Sequence, residues 1–136
     1  TALSIYVLLI VFIQPLTNSQ GYNELKARLS TYEGYHFYSL NTFDYVISKY
    51  YVGPDRLTLY NVGWPQYDSR PWPGVGYATK RTENFDDLKN DPKGIVIWNT
   101  QFPRETRDDR NFDTSDFEQI ARYKNIELYR PKKFVR

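Results

Sequence analysis

All 18 basic and 16 acidic residues of this 136-residue chain fall after position 20, so its opening segment carries no charge at all. Ala2-Leu-Ser-Ile-Tyr-Val-Leu-Leu-Ile-Val-Phe-Ile13 is apolar apart from Ser4, and Gln14-Pro15 closes it. A bilayer crossing needs ~20 such residues, and this run supplies about a dozen. Three readings fit it. A signal-peptide core has this length, but a basic flank and a small-residue cleavage site are missing. A buried core element would be the ordinary explanation. The end of a transmembrane helix explains the uninterrupted apolar circumference and the exit at Pro15, where water can take over from helical hydrogen bonding. The last reading is preferred, with Tyr6, Phe12 and Ile13 as membrane-contacting residues. The start at Thr1, without an initiator Met, suits a processed product or a fragment.

Composition narrows the chemistry of the rest. There is no Cys, which removes disulfides, thiolate metal sites and cysteine nucleophiles. A single His, His36, argues against His-dependent catalysis and multi-His metal centres. The net charge of +2 provides no nucleic-acid footprint. No cofactor motif survives inspection either. Gly74-Val-Gly76 lacks the third glycine of a dinucleotide loop, Thr79 standing in its place. Asp108-Asp109 is flanked by Arg107 and Arg110 and reads as a solvated charge run, not a metal site. No metal, cofactor or catalytic residue is therefore expected in this chain.

Beyond Gly21 the pattern predicts alternating helices and strands. Tyr22, Leu25, Leu29 and Tyr32 recur at helical spacing, with a Glu24–Arg28 pair at i,i+4. Tyr35–Leu40 reads as a strand. The stripe Phe43, Val46, Ile47, Tyr50 and Tyr51 predicts the buried side of a helix that ends at Gly53-Pro54. Arg56–Asn61 forms the next strand, which makes a β-α-β unit with parallel strands. A short helix spans Asn84–Asn90, with Phe85 and Leu88 inward, and Gly94–Trp98 is apolar throughout, as a strand covered on both faces is. Ser115-Asp-Phe-Glu118 matches a capping box opening a helix through Phe117, Ile120 and Ala121. Ile126–Tyr129 alternates like a half-exposed edge strand. The expected fold is α/β, a small three-layer, mostly parallel sheet of about four strands with flanking helices. The organisation expected is an apolar segment at 1–16, a juxtamembrane connector and helix at 17–34, a soluble domain at 35–130 and a basic tail at 131–136. That tail is expected to fray or to graze anionic lipid.

The longest connection, residues 62–81, interleaves Trp64, Tyr67, Trp72 and Tyr77 with glycines and prolines. Flat aromatic faces with one polar handle suit stacking on sugars, contact with a bilayer, or simple packing on the sheet. These four residues are the candidate acceptor- or glycan-contacting site.

An apolar segment, the helix Tyr22–Leu29, the unit His36–Tyr51, the strands Arg56–Asn61 and Ile95–Trp98, and a terminal Ile126–Tyr129 strand follow one another in a recognisable order. This order resembles the C-terminal extracytoplasmic domain of polytopic, polyprenyl-phosphate-sugar-dependent glycosyltransferases of the GT-C type (dolichyl-phosphate-mannose-protein mannosyltransferase-like). The resemblance covers about residues 2–130 and rests on element order and aromatic texture. It implies an integral-membrane protein with this domain outside the cytoplasm, packed against upstream transmembrane segments and aiding acceptor binding. The family's catalytic acidic residues lie far upstream, so none is carried over; a glycan or lipid-linked sugar is the implied ligand. The alternative expectation is a secreted or membrane-tethered carbohydrate-binding module that uses the same 62–81 loop.

Overall fold

The computed structural model describes residues 20–40, 42–60, 80–101 and 114–135. Tyr6, Phe12, Ile13, the four aromatic loop residues, both Gly74 and Gly76, and Asp108-Asp109 lie outside the described residues. Among those described, no helix is long and apolar enough to cross a membrane.

Among the described residues, three helices and six strands make an α/β fold. In chain order they are α1 (Gln20–Ala27), β1 (His36–Ser39), α2 (Thr42–Val52), β2 (Leu57–Tyr60), β3 (Arg81–Thr82), α3 (Phe85–Asn90), β4 (Gly94–Asn99), β5 (Phe117–Tyr123) and β6 (Ile126–Pro131). They form one mixed sheet in the order β3-β2-β1-β4-β6-β5. The first four of these are mutually parallel, and β6 is antiparallel to both its neighbours. The parallel β1-α2-β2 unit read from the sequence is present. Gly53, at φ +95°, makes the turn after α2 that a residue with a Cβ rarely adopts.

Strand number and the last hairpin depart from expectation. The sheet has six strands where about four were expected. The two additional ones are β3, only two residues long, and β5, where a helix was predicted. Ser115 lies in a 3-10 turn (Thr114–Asp116) instead of capping a helix. From Phe117 on, the chain pairs with β6 across a two-residue turn, Lys124-Asn125, with Lys124 in the left-handed region. A bulge between Gln119 and Ala121 inserts Ile120 as an extra residue. That phase slip brings Ile120 and Ala121 onto the same core, while Phe117 packs on the opposite face. Phe117, Ile120 and Ala121 thus acquire helical spacing in a strand. On this side of the sheet the edge strand is β5, with exposed Glu118, Gln119 and Arg122. Strand β6 lies inside the sheet, and its alternation separates two covered faces, not a core from solvent.

The sheet is the middle of three layers. On one face, α1 and α2 bury Tyr22, Leu25, Tyr45 and Val52 against Phe37, Leu57, Leu59, Ile95, Ile97, Ile126 and Leu128. On the other, Leu88 of α3 joins Tyr38, Leu40, Tyr60, Val96, Trp98, Phe117 and Tyr129. The predicted α2 stripe is rotated. Val46 and Tyr50 are 53% and 76% exposed, Ile47 and Tyr51 are partly buried, and Asp44, Tyr45, Ser48 and Val52 point inward. Polar Asp44 and Ser48 go inside because partners wait for them there. The predicted helix over 22–32 also divides, into α1 and a 3-10 turn at Leu29–Tyr32. Glu24 pairs with Lys124 (3.4 Å), and Arg28 lies over the Tyr123 ring, so the helix binds the last hairpin through these groups. Nor is the described part of the basic tail loose: Lys132–Phe134 form a 3-10 turn, and Lys133 Nζ donates to Asn90 Oδ1 at 2.6 Å.

Candidate functional site

Strand order reverses between β1 and β4. The chain leaves β1 toward β2 and β3, then returns to place β4 on the other side of β1. In open α/β sheets the crevice beyond the carboxyl ends of two such strands is where ligands bind. Here those ends are Ser39 of β1 and Asn99 of β4.

Beside these ends the chain's own polar groups meet. Asp44, in the first turn of α2, is only 2% exposed. Its Oδ2 accepts from the Tyr22 hydroxyl of α1 at 2.7 Å and its Oδ1 from Asn99 Nδ2 at 3.1 Å. The Tyr22 hydroxyl is also 2.6 Å from Ser48 Oγ, and Ser48 Oγ donates to the Asp44 carbonyl at 2.8 Å. Asn99 Oδ1 accepts from Asn125 Nδ2 (3.0 Å) and from the Gln101 backbone N–H (3.1 Å). Asn125 Oδ1 in turn accepts the Gly21 N–H at 3.0 Å. One connected set of bonds therefore ties α1, α2, the end of β4 and the β5–β6 turn together.

Burial sets the acidities. Desolvation pushes the Asp44 carboxyl up to about 6, against hydrogen bonds from Tyr22 and Asn99 that favour its ionised form. The Tyr22 phenol is held well above its usual range by burial and by the neighbouring Asp44 charge. Gly21 permits this docking. A Cβ there would run into the Tyr123 carbonyl and lie 2.6 Å from Ile126 Cγ1 and 2.8 Å from Asn125 Oδ1.

A second polar group sits on the opposite face, near the amino ends of the strands. His36 Nε2 lies 2.6 Å from Thr58 Oγ1, and Tyr38 donates to Asp91 Oδ2 at 3.0 Å. Burial lowers the His36 pKa, against the pull of Asp91. His36 is half-buried and bonded to a neighbouring strand, the arrangement of a structural histidine. Among the described residues, no group of three or more metal-ligating side chains is present.

The structure thus brings together Tyr22, Asp44, Ser48, Asn99 and Asn125, none of which sequence reasoning singled out as a site. Asp44 reads locally as an ordinary first-turn acid, and Tyr22 and Asn99, which bond its carboxyl, lie 22 and 55 residues away along the chain. The sequence-predicted site, the 62–81 aromatic loop, is described only at its anchors. The chain leaves at Tyr60, the carboxyl end of β2, and returns at Lys80, whose carbonyl accepts the Leu59 N–H at 3.0 Å. Both anchors flank the carboxyl half of β2. Comparison with protein-family models, with curated proteins and with solved structures finds no match.

Proposed function

We propose that this chain is the extracytoplasmic cap of an integral-membrane glycosyltransferase that moves a sugar from a polyprenyl-phosphate donor to a protein, lipid or glycan acceptor. In this reading catalysis belongs to upstream membrane segments, and the 62–81 loop with Trp64, Tyr67, Trp72 and Tyr77 meets the acceptor. The supporting observation is the way α1 is built in. Tyr22 and Leu25 are fully buried in the same core as the sheet, and Gly21 is bonded to Asn125. Eight chain steps separate Ile13, the end of the apolar run, from Gly21. They span at most about 28 Å. A domain entered this way lies within that reach of the apolar run, as a cap must.

The test is made on the whole coding sequence. Several apolar spans are expected upstream of Thr1, together with transfer from a polyprenyl-phosphate sugar. The double substitution Trp64→Ala, Trp72→Ala is expected to raise the acceptor KM and leave the donor KM unchanged. An upstream region without apolar spans would overturn the reading. The alternative, a carbohydrate-binding module using the same loop, predicts glycan binding by this chain alone, lost in the same double variant.

A further inference from the structure

Among the described residues, the exposed large apolar side chains are Val46 and Tyr50. They are not scattered. Four positions apart on α2, they share one side of the helix, turned away from the Asp44, Ser48 and Val52 side that enters the core. Tyr50 is also held in place. Its ring meets Tyr51 edge-on at 5.1 Å, and Tyr51 stacks on the buried Tyr22 of α1 at 5.4 Å. Lys26 of α1 sets its Nζ 5.7 Å from the centre of the Tyr50 ring. A ring that is mostly exposed and yet fixed by both helices has already given up freedom that contact with a partner would remove.

Charge on this side has one sign. Lys26 is exposed beside Tyr50, and Lys49, which precedes Tyr50 in α2, is partly exposed. The acids of the two helices lie elsewhere: Glu24 pairs with Lys124 at 3.4 Å, and Asp44 is buried.

Two apolar side chains are too few to hold a free partner, since a stable protein interface takes about 20–30 residues a side. They matter to a surface that something else already keeps at hand. The chain has such a tether. The apolar run ends at Ile13, eight residues before Gly21, and the ring of Tyr22 is joined to that of Tyr50 through Tyr51 alone.

We infer that the outer side of α2, with Val46, Tyr50 and the neighbouring Lys26 of α1, lies on the surface of the bilayer that the apolar run enters. The inference rests on the membrane part of the function proposed above. Tyr and Lys settle at this depth, the ring at headgroup level and the ammonium reaching out to phosphate. Anionic lipid suits the Lys26 charge. A second copy of the chain would find too little area on this side to stay. The apolar run folded back has far more apolar residues than two side chains can cover. What the contact adds is orientation. A single tether does not fix which side of the domain meets lipid, whereas a second attachment on α2 turns the α3 face away from it.

Because the chain has no Cys, a nitroxide can be placed at one position at a time. The 136-residue chain is reconstituted in vesicles of phosphatidylcholine with phosphatidylglycerol as the minor lipid, labelled through Val46→Cys, Asp86→Cys or Val7→Cys. Oxygen concentrates in the bilayer and a nickel chelate in the water, so spin relaxation by each reads the surroundings of the label. Asp86, exposed on α3, is the reference. The Val46 label is expected to be open to oxygen and about tenfold less accessible to the chelate than the Asp86 label. Adding Tyr50→Asp should return it to the Asp86 level. Equal chelate access at Val46 and Asp86, with the Val7 label shielded, overturns the inference and leaves the membrane reading standing. A Val7 label open to the chelate overturns both. Shielding of the Val46 label from oxygen as well as chelate means a cover of protein, and also overturns the inference. Should Tyr50→Asp fail to fold, the comparison of Val46 with Asp86 still gives the answer.

Discussion

The two faces of the sheet are held by different physics. Helices α1 and α2 cover one with an interlocked, largely aliphatic core and a buried polar cluster at its edge. The short helix α3 covers the other, where four of eight buried residues are Tyr or Trp and hydroxyls reach toward carboxylates, Tyr38 to Asp91 and Tyr129 to Glu127. Each face has one perturbed group of physiological interest, and the two respond to acid in opposite senses. Asp44, raised by burial, adds stability as pH falls through about 6. His36, lowered by burial, adds stability above its unfolded value of 6.5 and loses it as pH falls. Acid therefore acts on the two faces in opposite directions.

The largest effects should separate the faces by how far each can collapse around a void. Leu128→Ala, between α1 and the sheet, is expected to cost about 4 kcal/mol, and Leu88→Ala, on the small helix α3, nearer 2 kcal/mol because α3 can settle inward. Urea midpoints at unchanged m would show it, and equal losses would break the contrast. Gly21→Ala comes next. In an exposed helix that change helps by up to about 1 kcal/mol, but here the Cβ meets the Tyr123 carbonyl, so a loss of about 3 kcal/mol is expected. A gain in Tm would place α1 off the hairpin. Tyr22→Phe should cost about 2 kcal/mol by stranding Asp44 and Ser48, against about 0.5 kcal/mol for Tyr38→Phe, whose partner Asp91 reaches water. His36→Gln should flatten the loss of stability below pH 6.5 and leave the Asp44-dependent gain intact, measured as the pH profile of the urea midpoint. Smallest is Glu24→Ala, at most about 0.5 kcal/mol for an exposed pair, read by differential calorimetry.

What was legible in the sequence follows the same division. The β1-α2-β2 unit, α3 and the apolar β4 could be read because neighbouring residues decide them: a two- or 3.6-residue period, a cap at Asn84, a stop at Gly53. Strand β5 could not, because its bulge shifts the phase by one and gives Phe117, Ile120 and Ala121 the spacing of a helix. Two-residue β3 is a strand only because β2 offers it an edge. The inward face of α2 was misread for a related reason. Hydrophobicity alone favours Val46 and Tyr50, whereas Asp44 and Ser48 are drawn in by Tyr22 and Asn99, distant in the chain. Polar residues are placed by partners, and a period cannot show a partner.

The bond between Gly21 and Asn125 joins residues 104 positions apart. Helix α1 is therefore made well before it can be fully seated, since part of its dock is the β5–β6 hairpin. At ~5–20 residues per second, synthesis exposes the apolar side of α1 for roughly 5–20 s before that hairpin exists. During that interval Tyr22 can already meet Asp44 and Ser48 of α2, but α1 has no hairpin to seat on, and a chaperone, a neighbouring chain or a lipid surface can compete for its apolar side. The order of manufacture makes α1 the element whose placement is contested longest in the birth of the domain.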